Sequence, residues 1–205
     1  MVIILYDRNK KLMKEKGQDM SITEWVLSTY NTDNSGLEEA KNFTFIWSLF
    51  ENQSSKRIFT DKMKFDKFEL WVKNLDIKQE SVGLLIRDEQ SGNEISDNLV
   101  DGINKSFNHF YQKYKNNSKL FLDTLFNQGD KYTLSSKKHF EGLAKSIKTN
   151  DIRDKILFLF LIAKRMRNKF FHGIKNIGDI KSDHKEFKKI NEYLISIISL
   201  IETYN

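Results

Sequence analysis

No proline occurs in the 205 residues of this chain. Proline fixes its own φ, lacks a backbone donor and restrains the residue before it, so globular chains use it to end helices and shape loops. About 5% is usual. With only nine glycines as well, long helices joined by short polar turns are favoured over a sheet-rich fold. The length suits one domain with an additional piece. An apolar fraction of 39% beside 30% charged residues supplies enough Phe, Leu and Ile for a core and argues against disorder.

Helical periodicity runs through most of the sequence. Leu37, Ala40, Phe43, Ile46, Trp47 and Phe50 recur every three or four residues and predict a helix from about 36 to 53, with Glu38 and Glu39 where the helix dipole favours anions. SSKRIF reads as the connection to a second helix, capped by Thr60 and striped by Phe65, Phe68, Trp71, Val72 and Leu75. Val82 to Ile86 fits a short strand or a helical turn, and QSGNE after it a loop. Further helices are expected after Ser96, after the Asn116-Asn117 break, over 135–148 from Ser135 or Ser136, after Asp151 with Asp154 three residues on, and over 184–203. The predicted fold is an all-α antiparallel bundle over 35–205. Residues 1–34 form an N-terminal extension in which VIILY could be an edge strand.

Cysteine is absent, which removes disulfides, thiolate nucleophiles and thiolate zinc sites and fits a reducing compartment. The longest apolar run is far shorter than a membrane span, and MVIILYDRNKK carries its charges after its apolar run, the reverse of a secretory signal. A cytoplasmic protein with no membrane partner is expected. The net charge of +6 favours a polyanion such as RNA only weakly. His109, His139 and His184 have no ligand spacing with a carboxylate, so neither metal nor cofactor is expected.

The segment RMRNKFFHG, residues 165–173, departs from ordinary core. It follows ILFLFLIA, Ile156 to Ala163, and ends at Gly173, a natural helix terminator. At about 100° per residue, Leu159, Phe160, Ala163, Met166, Phe170 and Phe171 share the face of Ile156, and so does Arg167. A guanidinium on that face needs a carboxylate, an anion or a path to water. Arg165, Asn168 and His172 share the opposite face.

Arg167-Asn168-x-x-x-His172 at the end of an apolar helix, followed by Gly173, resembles the signature of the HEPN family, an arginine followed by a polar residue and then a histidine. LIAKRMRNKFFHG is similar to the corresponding helix end of the ApeA-like branch, and FTFIWSLFE, 43–51, to its aromatic early helix. The resemblance spans roughly 37–204 and is specific only in its last third. It implies a helical, typically homodimeric domain in which two copies of the motif face each other. It further implies a metal-independent endoribonuclease of a toxin–antitoxin or antiviral-defence system, with RNA as substrate and an antitoxin or partner protein in some members. On that implication His172 transfers protons, Arg167 contacts the transition state and Asn168 orients phosphate or imidazole, with Arg165, Lys169 and Glu51 as supporting candidates. The products would be a 2′,3′-cyclic phosphate and a 5′-hydroxyl.

Arg165 offers a second register, six residues before His172; Arg167 is preferred because Asn168 follows it directly. Structural roles stand beside these: Arg167 paired with a carboxylate such as Glu51, His172 capping its helix, and an inactive module that dimerises, scaffolds or binds RNA. Where some toxin members carry a modifiable tyrosine two residues after the histidine, this chain has Ile174, which puts that mode of neutralisation in doubt. The clusters at 10–16, 136–139 and 181–189 are solvated faces or, with RNA, phosphate contacts.

Overall fold

The computed structural model describes residues 34–59, 63–80, 83–95, 97–126, 131–171, 180 and 182–201, together with Glu24 and Leu27. Apart from Glu24, Leu27 and Asn34, the expected N-terminal extension with its VIILY strand lies outside the described residues, as do Thr60, His172, Gly173 and Ile174. Among the described residues seven helices and three strands follow in order: α1 Asn34–Arg57, α2 Phe65–Lys73, β1 Asp76–Glu80, β2 Gly83–Arg87, β3 Glu94–Ile95, α3 Asp97–Asn116, α4 Ser118–Phe126, α5 Lys131–Ser146, α6 Ile152–Phe171 and α7 His184–Ile201. The expected helical bundle is there, with a small sheet in mid-chain.

The central helix is α6. Ile156, Phe160 and Ala163 are buried on one face, and Leu157, Phe158 and Ile162 are buried on others. A helix apolar nearly all round belongs inside a bundle. Ring contacts tie it to α1: Phe160 meets Phe50 at 6.2 Å and Phe170 meets Phe43 at 6.4 Å. Phe43 also meets Phe187 at 5.3 Å, while Asn191 Nδ2 donates to the Glu39 carbonyl at 3.1 Å; α7 therefore runs antiparallel to α1. Tyr193, fully buried, donates to the Ile156 carbonyl at 3.0 Å. Burial pushes its phenol well above the ordinary tyrosine value.

Several local expectations change. The segment SSKR belongs to α1, with Ser54 Oγ donating to the Phe50 carbonyl at 2.5 Å instead of turning the chain. Helix α2 starts at Phe65 with Lys64 at its N-cap and no side-chain cap hydrogen bond. Helix α5 begins at Lys131, ahead of Ser135. Of the open segment at 82–86 the described part, from Gly83 on, is strand β2, antiparallel to β1 with Ile77 opposite Ile86, and β3 pairs on the other side of β2. Gly92 at φ +76° closes the β2–β3 turn, a conformation glycine adopts without strain. Ser91 Oγ and Asn93 Nδ2 pin this turn to the Leu200 carbonyl at 2.7 and 3.2 Å.

One expected break and one expected cap are there. Asn117 breaks the chain between α3 and α4, and its Oδ1 accepts from the Leu120 amide at 2.9 Å. Asp151 Oδ1 accepts from the Arg153 amide at 2.9 Å at the start of α6; Asp154 Oδ2 accepts from the Lys148 amide at 2.7 Å, and so bonds to the preceding loop. Among the described residues no helix is long and apolar enough to cross a membrane.

Candidate functional site

The end of α6 separates its polar side chains into two groups. Arg167 extends back toward the N-terminus of its helix, the direction helical side chains take, and meets α1. Its Nη2 donates to Glu51 Oε1 at 3.2 Å and its Nη1 to Asn168 Oδ1 at 3.4 Å. Nε has no acceptor among the described residues. The guanidinium lies 5.2 Å from the centre of the Phe171 ring, within cation–π range. Arg167, Asn168 and Glu51 are thus brought together.

Two long hydrogen bonds leave much of a five-donor guanidinium unused. The Arg167 side chain is 31% exposed and that of Glu51 is 40% exposed. A pair so open to water contributes about 0–1 kcal/mol, so an incoming phosphate competes with the carboxylate on favourable terms. Phe171, expected on the apolar face, is 49% exposed. The helix end leaves the core at its last described residue.

Lys164, one turn before Arg167, was not singled out from sequence. Its Nζ donates to the Met63 carbonyl at 2.8 Å. Burial first, then the Arg167 charge, holds its ammonium below the ordinary lysine value. The i, i+3 spacing of two basic residues on a helix end was the available signal.

Arg165 and Lys169 turn the other way. Arg165 Nε donates to the Leu125 carbonyl at 2.8 Å, with its guanidinium 5.6 Å from the Phe126 ring centre, and Lys169 Nζ donates to the Thr124 carbonyl at 2.5 Å. Both acceptors lie in the last turn of α4, whose carbonyls have no intrahelical donors and carry the negative end of its dipole. One turn of α6 therefore caps the C-terminus of α4. Lys169 is only 7% exposed. This engagement favours Arg167 over Arg165 as the arginine available to a substrate. Arg165→Met is expected to cost about 1–3 kcal/mol of stability in urea unfolding, the range for a hydrogen bond from a charged donor.

On the α4 side of α6 lies a cleft of 390 Å³, floored by Phe110, Leu125, Ile162 and Met166. At its rim Glu186 accepts from Lys113, and His109 Nε2 stands 3.6 Å from the same carboxylate oxygen. Burial would raise the Glu186 pKa, but the nearby His109 imidazole, the Lys113 hydrogen bond and the lysine charge together lower it to about 2. An unfolded glutamate titrates near 4.5. The stabilisation is thus complete above that pH and is lost as pH falls toward 2. Because Lys113 is 50% exposed, we expect Glu186→Gln to cost only about 1–2 kcal/mol at neutral pH after screening. That difference should shrink below about pH 4.5 in urea titrations at stepped pH.

His139 packs edge-on against Phe65 at 4.4 Å. Among the described residues no three His, Asp or Glu side chains gather as metal ligands would. Comparison with protein-family models, curated proteins and solved structures finds no match to this chain.

Proposed function

We propose that this chain is a metal-independent endoribonuclease of HEPN type, acting as a homodimer in a toxin–antitoxin or antiviral-defence system. The observation that carries the reading is Arg167, held beside Asn168 at the end of the central helix with its guanidinium in reach of water and most of its donors unused. Lys164 adds a second cation one turn away. The predominantly helical fold and the buried course of α6 agree with the domain type that the Arg167-Asn168-x-x-x-His172 segment resembles.

Cleavage without a metal requires a base at the ribose 2′-oxygen, an acid at the departing 5′-oxygen and positive charge on the pentacoordinate phosphorus. His172 exchanges the protons, since imidazole titrates near neutral pH. Arg167 grips the non-bridging oxygens with paired donors, and Asn168 orients it through Oδ1. In the dimer, arginine from one protomer and histidine from its partner share a cleft. Incubation of RNA with the protein in EDTA should release 2′,3′-cyclic phosphate and 5′-hydroxyl ends; 3′-hydroxyl ends, or intact RNA, would refute the mechanism.

The Arg167–Glu51 ion pair favours a second reading, a catalytically silent HEPN module for dimerisation, RNA binding or scaffolding. There the arginine ties α6 to α1, and RNA survives incubation.

A further inference from the structure

We infer that the groove between the end of α1, helix α2 and the β2–β3 turn binds the phosphate of a nucleotide. It measures 630 Å³, within the range of about 300–1,000 Å³ of small-molecule sites. It shares no residue with the Arg167 cluster, so it stands whether or not the chain cleaves RNA.

The chemistry of its wall is one-sided. Arg57 and Lys67 bring two cations, Asn74 and Gln90 bring amides, and Glu89 is the one carboxylate among the lining residues. Arg57 Nη1 and Trp71 Nε1, on two of these residues, have no acceptor among the described residues, but both atoms are sealed from water and so from a ligand in the groove. What the groove offers is a pair of cations beside two amides, against one carboxylate. Donors with net positive charge select an oxyanion, and a guanidinium matches phosphate in particular.

Phosphate alone would fill little of this space. Ile58 and Leu70 also line the groove, and Leu70 is 58% exposed. With the Trp71 ring they offer an apolar bed for a flat, weakly polar body such as a base. A nucleotide joins both halves: phosphate at Arg57 and Lys67, base over Leu70 and Trp71. It can arrive free or as one residue of an RNA strand.

The test uses the full chain with two probes: adenosine 5′-monophosphate, read by thermal unfolding, and a short fluorescein-labelled oligoadenylate, read by anisotropy with His172→Ala to keep the RNA intact. Each is repeated with Arg57→Gln and with Lys67→Gln, the latter an exposed position that keeps the test valid if the former misfolds. A saturable rise in the unfolding midpoint with the mononucleotide, lost in the variants, supports the inference with a free nucleotide as ligand. No response to the mononucleotide, but an oligoadenylate affinity about tenfold weaker in the variants, supports it with the strand as the source. A mononucleotide response and an oligoadenylate affinity that neither substitution changes overturn it.

Discussion

On the proposed ribonuclease reading, alanine at Arg167 is expected to slow metal-free RNA cleavage by about 100- to 1,000-fold, the range for removing one preorganised donor from a developing charge. Stability should fall by no more than about 1 kcal/mol, because the ion pair it breaks is open to water on both sides. That imbalance distinguishes a catalytic contact from a strut between α1 and α6. Arg167→Lys should leave most of the defect in place, since an ammonium keeps the charge but loses the planar fork that holds two phosphate oxygens. Glu51→Gln should retain cleavage and tighten RNA binding modestly, because it removes the carboxylate that competes with phosphate for Arg167. Single-turnover cleavage in EDTA, run beside urea unfolding of each variant, checks the set. An Arg167→Ala protein that loses stability heavily while its folded fraction cleaves normally would assign the arginine to architecture.

The largest stability effect is expected two turns earlier on the same helix, at Phe160. This ring is fully buried and stacks on Phe68 at 3.9 Å with 15° between planes. Phe50, Phe59 and Phe65 surround it with ring centres 6.2 to 6.3 Å away. Phe160→Ala removes a ring that α1 and α2 both pack against and leaves a cavity that its four aromatic neighbours cannot readily fill. The cost should be about 3–5 kcal/mol. In a domain of this size that lowers the thermal midpoint by about 6–20 °C. Cleavage by the fraction still folded should also decline, although Phe160 lies within the core, because α6 carries Arg167 and its packing against α1 sets the distance to Glu51.

What could be read in the sequence depended on whether a segment's burial repeats with its own period. Helices α1 and α3 bury one stripe each, and their spacing of large apolar residues marks them; α7 buries its expected stripe and, beside it, Tyr193, Ser196 and Leu200. Helix α6 is buried on more than one face, so a single-face reading placed Arg167 correctly beside a carboxylate but missed that Arg165 and Lys169 face the end of α4. No pattern within α6 announces that those two cap another helix; the partner carbonyls lie some 40 residues earlier in the chain. Strand β1, DIKQE, escaped notice because it has one apolar residue and sits at a sheet edge, where polar residues are tolerated and no alternation is required. Phe171 was assigned to the core by its angle alone, yet the helix has left the bundle by that point. The Arg167–Glu51 contact was legible because a guanidinium on an apolar face demands a partner.

Mixing two inactive proteins tests the composite site most directly. If arginine and histidine act across a two-fold axis, a dimer of one Arg167→Ala chain and one His172→Ala chain has one intact site and one doubly damaged site. Random reassociation makes about half the dimers mixed, so about a quarter of wild-type cleavage should return. Mixed dimers verified by mass spectrometry that recover no cleavage would contradict the account.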